Sequence, residues 1–444
     1  MLNNIIKRNG TIVPFDQEKI TRAIYKAAAS VGGHDYTLSK TLSDEVTQFL
    51  KQSYPYPDMP LMEEVQDMVE KVLIENGHAQ TAKSFILYRE NRRKERQQQF
   101  RRHKKSSNIP YPTMYEMLVW NLENECESIE KLNHLVTNGQ LPDLVRKADA
   151  AFNDKTLRAA EAIAKEKDRI KLVIIAGPSS SGKSTTTAKI TQHLGNMGIE
   201  AVPLNIDHYF FDLEMHPKDE FGDYDFETPE ALDLALINDH LSKLVNGETV
   251  KIPYYDFEAG RRRDNVTDVC VKPEQIILID TLHGLYGQMT KSIPEDKKFK
   301  VYIETISQLK DMDGNFIRWT DIRLLRRMVR DMKFRGYSPT RTIGHWHYVR
   351  RSEMKHIIPY VNDVDFVING ALPYEFPFMK KYIYDQLPKI IKTWENNPKK
   401  QDALLRAKRI QKLLSNIESY QNDGILSKDS LLREFIGGSN YKLH

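Results

Sequence analysis

The first part of the chain changes from alternating apolar and polar residues to helical spacing. Residues Ile5 to Asp16 form two short β-type runs around Asn9-Gly10, a pair that accepts the positive φ angles of a tight hairpin turn. Beyond Asp16, which is suited to cap a helix, apolar residues recur with the period of a helix face. The pattern predicts a β-hairpin followed by helices, in a first domain over residues 1–97.

A basic and glutamine-rich stretch, Arg89 to Lys105, has few apolar residues and predicts a domain edge. We interpret it as a solvated helix and linker rather than as an arm that binds nucleic acid. Helical spacing resumes after this stretch, and we expect residues 98–168 to form a helical linker region.

From Ile170 onward, short β-rich runs alternate with helical segments. This alternation predicts an α/β domain over residues 169–390, with a parallel sheet flanked by helices on both faces. In that architecture, functional side chains lie at the carboxyl ends of the strands. The tail, residues 391–444, is expected to form helices that pack against this domain. The predicted strands are Leu172 to Ala176, Ala201 to Ile206, Gln275 to Asp280, Phe299 to Glu304 and Asp365 to Ile368.

Composition and charge narrow the function classes. Apolar residues make up 40% and charged residues 28% of the chain, which is typical of globular proteins. The length of 444 residues favours more than one domain. The net charge of +4, from 65 basic and 61 acidic residues, supplies no overall attraction to nucleic acid. No apolar run approaches the length of a membrane span. We therefore expect a cytoplasmic protein without membrane or nucleic-acid partners, and a homo-oligomer is compatible with the sequence.

The segment from Gly177 to Ser184 fits the phosphate-binding loop pattern GxxxxGK[ST] and directly follows an apolar run. Its glycines let backbone amides wrap phosphate groups, and Lys183 adds a positive charge. The hydroxyl of Ser184 can bind Mg²⁺ at the start of the next helix. The predicted ATP-binding residues are Gly177, Ser179, Ser180, Ser181, Gly182, Lys183, Ser184 and Thr185.

Two predicted strands end in a carboxylate. Asp207 follows the second strand, which we expect to neighbour the strand of the phosphate-binding loop, and it is the candidate general base for an attacking hydroxyl. Asp280 ends the third strand in the Walker B pattern and is the candidate Mg²⁺ ligand together with Ser184. Taken alone, either aspartate is more often a turn cap or a structural residue.

Five arginines crowd one predicted helix and the loop after it. A helix closing over ATP could use two or three of them to stabilise charge on the transferring phosphoryl group and to keep water out. The alternative is an exposed basic face without a ligand. The five are Arg323, Arg326, Arg327, Arg330 and Arg335.

Together, these blocks resemble the uridine kinase and phosphoribulokinase family of P-loop kinases over residues 170–380. Asp207-His208-Tyr209-Phe210 looks like the block that supplies the catalytic base. The run Phe226 to Asp233 is similar to the substrate-loop block, which implies that Glu227 binds the ribose hydroxyls.

The same resemblance extends to two later blocks. The run Ile252 to Phe257 matches the block whose tyrosine contacts the base, which implicates Tyr255. The arginine block looks like the family lid, implying Arg327 on the sugar and Arg330 and Arg335 on the phosphates as catalytic groups, beside Lys183.

The sequence also departs from the family pattern. The family usually has aspartate where Glu227 stands, and uridine kinases carry a base-reading histidine near Gly260. Asp280 is followed by Thr281-Leu282-His283-Gly284, where the family commonly has glutamate and then glycine. Tyr337 replaces a lid arginine that is often found in uridine kinases.

The first 95 residues resemble the ATP-cone, a regulatory nucleotide-binding module. The resemblance rests on Lys7-Arg8-Asn9-Gly10, Val13-Pro14-Phe15-Asp16, Lys19-Ile20 and Tyr88-Arg89. It implies an effector nucleotide bound through Lys7, Arg8 and Lys19, and allosteric control by ATP or dATP. The alternative is a helical module that no longer binds nucleotide.

The leading hypothesis is an ATP- and Mg²⁺-dependent kinase acting on the 5′-hydroxyl of a nucleoside such as uridine. A second hypothesis is a kinase of another polyol or acid, of the phosphoribulokinase or glycerate type. A third is an ATP-sensing regulator without a small-molecule acceptor.

Overall fold

The computed structural model describes residues 2–7, 11–55, 58–89, 108–218, 224–225, 227–257, 259–397 and 400–441. They form two compact units. The first contains the described residues up to 89 together with those between 391 and 406. The second contains residues from 108 to 390 and from 407 onward.

The first unit begins with a β-hairpin, as predicted. Strand β1 (Asn4–Ile6) pairs antiparallel with β2 (Ile12–Pro14). Asp16 caps the first helix by accepting a hydrogen bond from the backbone N–H of Glu18 (3.1 Å). The helices are α1 (Gln17–Ala29), α2 (Tyr36–Ser53), α3 (Met62–Glu75) and α4, residues 79–89.

The apolar faces of these helices form the core of the first unit. Ile24, Val46, Leu50, Val72 and Leu73 are fully buried. The helical spacing read from the sequence therefore places the apolar residues on the inner faces.

The second unit begins with three helices and continues as an α/β domain. The three helices are α5 (Tyr111–Glu123), α6 (Ile129–Thr137) and α7 (Leu141–Lys165). The α/β part consists of β3 (Leu172–Ala176), α8 (Lys183–Asn196), β4 (Ala201–Asn205), α9 (Leu234–Val245), β5 (Val250–Asp256), β6 (Arg261–Val269), β7 (Ile276–Thr281), β8 (Lys298–Glu304), α10 (Trp319–Phe334), α11 (Pro339–His356), β9 (Phe366–Asn369) and α12 (Glu375–Ile383). No helix in the described part of the chain is both long enough and apolar enough to cross a membrane.

Five strands form one parallel sheet in the order β4-β7-β3-β8-β9, and β5 and β6 form a separate antiparallel hairpin. The five strands predicted from the sequence are all present. The expectation that β4 neighbours β3 is wrong, because β7 lies between them. Strand order depends on where each crossover returns to the sheet, and local sequence does not contain that information.

Three further helices follow α12: α13 (Leu387–Trp394), α14 (Gln401–Ser415) and α15 (Arg433–Ile436). The parts of α13 and α14 that lie within residues 391–406 belong to the first unit. We call residues 426–441 the C-terminal strap. Its side chains Leu431, Leu432 and Phe435 are fully buried in the second unit. The strap is therefore an integral layer of that unit.

Asp149 of α7 joins the strap to the turn before α12. Its carboxylate accepts hydrogen bonds from the hydroxyls of Tyr374 and Ser430, the latter at 3.1 Å. Burial raises the pKa of Asp149 to about 6, although both hydrogen bonds favour the ionised form.

This shift predicts a pH-dependent stability. Between about pH 4, near the pKa of an unfolded aspartate, and the folded pKa of about 6, the folded chain binds a proton that the unfolded chain has released. The contribution of Asp149 to the free energy of unfolding is therefore lost as the pH rises through this window. We expect Asp149→Asn to be more stable than the unaltered chain at pH 8 by about 1–3 kcal/mol, and this gain to vanish near pH 4.

Urea unfolding at both pH values measures the difference. Asp154→Asn is the matched control, because Asp154 lies on the same helix but is about half exposed. A gain for Asp149→Asn that does not change with pH would contradict the prediction.

Candidate active site

The P-loop, residues 177–184, connects the central strand β3 to helix α8. Ser180 and Gly182 adopt left-handed conformations, with φ of 59° and 99°. At Gly177, an added Cβ atom would lie 2.2 Å from the carbonyl oxygen of Ile303 on β8. Only glycine fits this close approach, so the loop turns tightly between the sheet and the start of α8.

Two arginines of α10 hold the back of the P-loop. Arg323 donates a hydrogen bond to the carbonyl oxygen of Ser179, and Arg326 donates one to that of Ser181, both at 3.2 Å. The two residues are 1% and 0% exposed. The guanidinium groups thereby fix the orientation of the peptide units that form the loop.

Each of these arginines has buried carboxylate partners. Arg323 Nε lies 2.9 Å from a carboxylate oxygen of Glu304, and its terminal nitrogens pair with Glu353. Arg326 binds Glu375 through two hydrogen bonds of 2.6 and 3.0 Å. Such fully paired charges tolerate burial, whereas a single one would not.

Neither expectation for the arginine helix describes Arg323 and Arg326. They belong neither to a lid over ATP nor to an exposed basic face, because both are buried against the P-loop backbone. Sequence reasoning missed this role, since Glu353 and Glu375 are distant in the chain and carry no motif.

The other three arginines surround Asp331, a buried residue that sequence analysis did not single out. The Asp331 carboxylate lies 2.9 Å from Arg330, 3.4 Å from Arg327 and 3.9 Å from Arg335. Burial opposes its ionisation, but the three guanidinium groups outweigh burial and lower the pKa of Asp331. Burial and repulsion from Arg335 lower the pKa of Arg330 to about 10.

Lys183, Asp207 and Asp280 share one electrostatic environment at the carboxyl end of the sheet. The Lys183 ammonium group donates to the carbonyl oxygen of Pro178 (3.2 Å). Desolvation lowers the pKa of Lys183 despite attraction from Asp280 and Asp207. Asp207 is exposed, but the surrounding protein still raises its pKa by desolvation, against attraction from Arg335 and Lys183. The predicted base Asp207 therefore lies within electrostatic range of both Lys183 and the predicted lid residue Arg335.

The Asp280 carboxylate ends β7 beside the start of α8. Desolvation raises its pKa to about 7, although Lys183 and a hydrogen bond from the Ser184 hydroxyl favour the ionised form. A hydroxyl and a carboxylate are ligands that Mg²⁺ accepts, so these residues fit the ion. Within the described residues, no group of three or more His, Cys, Asp or Glu side chains could hold a metal. Phosphate and water oxygens would complete the shell.

The remaining polar groups of the loop are oriented inward. The hydroxyls of Ser180 and Ser181 are buried and have no hydrogen-bond partner among the described residues. Thr185 is different: its backbone N–H and its hydroxyl both donate to the carboxylate of Glu434 in the C-terminal strap, at 3.0 and 2.7 Å. Sequence analysis did not identify Glu434.

Glu227 and Arg327, both predicted substrate-binding residues, form an ion pair. Arg327 donates to the Glu227 carboxylate (2.8 Å) and to the Ser179 hydroxyl (3.1 Å). The backbone carbonyl of Glu227 accepts a hydrogen bond from the Ser352 hydroxyl. Burial opposes ionisation of Glu227, but attraction from Arg327 and His345 prevails and lowers its pKa.

Tyr255 lies in an aromatic cluster on the β5–β6 hairpin. It is only 3% exposed, and its ring centroid lies 5.5 Å from that of Phe210 and 5.0 Å from that of Phe257. Phe257 is 62% exposed and offers the accessible ring of this cluster. In the sequence, Phe257 is the last residue of the run Ile252 to Phe257, which matches the family block whose tyrosine contacts the base.

In the first unit, Lys7 and Lys19 both have exposed side chains. The Lys19 ammonium group lies 3.5 Å from the Asp16 carboxylate. Arg8, the third predicted effector residue, lies outside the described residues.

The comparisons with known proteins match both parts of the chain. Residues 172–373 match the model of the phosphoribulokinase / uridine kinase family, and residues 3–94 match that of the ATP cone domain. The uridine kinase of Staphylococcus aureus (strain JH9) is 30% identical over 198 residues, which make up 44% of this chain and 86% of that protein. The chain belongs to the phosphoribulokinase / uridine kinase family.

Further relatives of this ATP-cone-bearing kinase are more distant. The uridine kinase of Deinococcus deserti is 28% identical over 195 residues, covering 44% of this chain and 84% of that protein. Among solved structures, D-glycerate 3-kinase from Cryptococcus neoformans is 12% identical with a TM-score of 0.29, covering 61% of this chain and 91% of that chain.

The buried pairs behind the P-loop predict a large and specific loss of stability. Arg326→Met leaves the Glu375 carboxylate buried without its partner, and we expect it to lower the free energy of unfolding of the kinase domain by about 3–5 kcal/mol. The double variant Arg326→Met/Glu375→Gln should recover part of this loss, because no unpaired charge remains.

Guanidinium chloride unfolding, followed by tryptophan fluorescence, measures the effect. Arg158→Met is the control, because Arg158 is exposed and its ion pair with Asp154 on α7 should contribute less than about 1 kcal/mol. Equal losses for Arg326→Met and Arg158→Met would be incompatible with this account.

Proposed function

We propose that the acceptor of this ATP-dependent kinase is the 5′-hydroxyl of a nucleoside. The observation that carries the proposal is the ion pair between Glu227 and Arg327. The Glu227 carboxylate can accept hydrogen bonds from the two neighbouring hydroxyls of a ribose, and the Arg327 guanidinium can donate hydrogen bonds to them. Because Arg327 also reaches Ser179 of the P-loop, the pair would hold the sugar close to the transferring phosphate.

Asp207 is proposed as the general base. It would accept the proton of the 5′-hydroxyl as the new P–O bond forms and the bond to the leaving ADP breaks. Since the pKa of Asp207 is raised, the rate should fall with decreasing pH at a higher pH than for an ordinary aspartate.

The charge on the transferring group would be balanced by Lys183, Arg330 and Arg335. Lys183 and Arg335 lie within electrostatic range of Asp207, and Arg330 lies within electrostatic range of Lys183. A Mg²⁺ ion held by Ser184 and Asp280 would neutralise phosphate charge. The exposed ring of Phe257 suits stacking against a flat base.

A second candidate is a kinase of a phosphorylated or acidic polyol. The half-exposed Arg335 and the closeness of His345 to Glu227 favour it, since an anionic acceptor needs basic groups in its pocket. The Glu227 carboxylate argues against it, because it would repel such a substrate. An ATP-sensing regulator is the third candidate, and it predicts that no acceptor is phosphorylated.

A panel of acceptors tests these candidates. We expect ATP-dependent phosphorylation with the highest kcat/KM for a nucleoside, and a loss of roughly 10²–10⁴-fold in kcat for Asp207→Asn with ATP binding retained. The panel contains nucleosides, sugar phosphates and glycerate. Asp268→Asn, at an exposed aspartate of β6, is the matched control and should retain full turnover.

Near-normal turnover of Asp207→Asn would remove this residue from the mechanism. Preference for a sugar phosphate would replace the nucleoside by the second candidate. Phosphorylation of no acceptor would favour the regulator.

We also propose that the ATP-cone binds an effector nucleotide through Lys7, Arg8 and Lys19. The two lysines have exposed ammonium groups suited to phosphates. Because the P-loop is a second nucleotide site in the same chain, occupancy of one can be linked to the affinity of the other.

Equilibrium binding of ATP and dATP to Lys183→Ala tests the second site. We expect about one nucleotide per chain to remain bound, because the cone does not depend on the P-loop lysine. Adding Lys7→Ala and Lys19→Ala should weaken that binding at least about tenfold, whereas the control Lys26→Ala, at an exposed lysine of α1, should not. A Lys183→Ala chain that binds no nucleotide would refute the cone site.

A further inference from the structure

The C-terminal strap lies against the P-loop, although it is outside residues 172–373 that match the kinase family model. An added Cβ atom at Gly182 would lie 2.5 Å from a methyl carbon of Leu431. The Phe435 ring lies 5.0 Å from the Arg326 guanidinium carbon, next to the pair that holds the loop from behind. The strap thus covers the loop where α8 begins.

Glu434 brings a negative charge to this point. Its carboxylate accepts hydrogen bonds from the backbone N–H of Thr185 (3.0 Å) and from the Thr185 hydroxyl (2.7 Å). The residue is 4% exposed. A carboxylate oxygen with two donors in the first turn of a helix is placed as a phosphate oxygen would be.

The site that Glu434 enters must accept a polyphosphate if the chain binds ATP in the P-loop. The Glu434 carboxylate lies at Thr185 in the first turn of α8, one residue after the P-loop ends at Ser184. Two anions cannot use the same N–H and hydroxyl donors, and like charges at this distance repel each other. Glu434 and the nucleotide phosphates are therefore mutually exclusive.

Polar contacts fasten the strap on both sides of Glu434. Asp429 forms an ion pair with the buried Lys189 of α8 (2.9 Å). Lys333 of α10 donates to the carbonyl oxygen of Ile436 (2.8 Å). The strap therefore spans from α8 to α10 across the loop. Water can replace these polar contacts, whereas the buried side chains Leu431, Leu432 and Phe435 oppose release of the strap.

We propose that the C-terminal strap is an autoinhibitory element in which Glu434 occupies a phosphate position of the P-loop and withdraws when ATP binds. The inference rests on the proposed function only in requiring a nucleotide at the P-loop, and it is independent of the acceptor. The free energy that stabilises the contact between Glu434 and Thr185 lowers the apparent affinity for the nucleotide, because Glu434 must leave Thr185 before the phosphates can bind there.

Binding of Mg·ATP to the full-length chain tests the proposal, with the P-loop component defined as the part that Lys183→Ala abolishes. We expect Glu434→Ala to raise the affinity of this component by about tenfold or more, because it removes two hydrogen bonds to a charged group. Glu434→Gln, which keeps the shape without the charge, should give a smaller gain. Glu418→Gln is the matched control, an exposed glutamate upstream of the strap, and should change nothing.

An unchanged or weaker affinity in both Glu434 variants overturns the proposal and makes Glu434 a permanent cap of α8. If the unaltered chain shows Lys183-dependent binding that the variants do not improve, the strap inference alone fails. The absence of Lys183-dependent binding in every chain would overturn the kinase site as well.

Hydrogen exchange of the unaltered chain gives a second test that needs no strap variant. Mg·ATP should speed amide exchange over residues 429–437 while slowing it in the P-loop. The Lys183→Ala chain should show neither change. Slower exchange of the strap with Mg·ATP would contradict the proposal, since a permanent cap becomes more ordered when its site is filled.

Discussion

The hydrogen bonds from Arg323 and Arg326 to the carbonyl oxygens of Ser179 and Ser181 fix the backbone conformation of the P-loop, on which the rest of the candidate site depends. A loop that binds phosphate through its amide N–H groups needs other hydrogen-bond partners for its carbonyl oxygens. Here, two buried guanidinium groups donate hydrogen bonds to these oxygens. Those charges can be buried only because Glu304, Glu353 and Glu375 pair with them. The loop geometry therefore depends on the ends of β8, α11 and α12 as much as on its own glycines.

Helix α10 also carries the reverse arrangement, in which one buried carboxylate is surrounded by arginines. Asp331 pairs with three arginines beside the cleft. Desolvation lowers the pKa of Lys183 and raises the pKa of Asp280 to about 7, although the two groups attract each other. Lys183 and the arginines paired with Asp331 supply positive charge to this region. A polyphosphate with its metal ion would pair with these groups, which is the physical basis of the proposed kinase chemistry.

The proposed regulation involves two parts of the chain. The ATP-cone is a separate compact unit with its own apolar core, and the C-terminal strap is a layer of the kinase unit itself. In the strap, one carboxylate competes with the phosphates for the donors of Thr185. Such competition couples nucleotide binding to strap release without any contact to the acceptor.

The sequence by itself determined the local elements and motifs: the hairpin, the helices, five β-runs and the P-loop between β3 and α8. These depend on hydrophobic periodicity and glycine chemistry within short windows, which a single chain displays directly. Tertiary structure alone decided that β7 separates β4 from β3, that Arg323 and Arg326 are buried supports, and that Glu434 lies on Thr185. Each depends on partners far apart in sequence, and no local pattern specifies which distant carboxylate a given donor will meet.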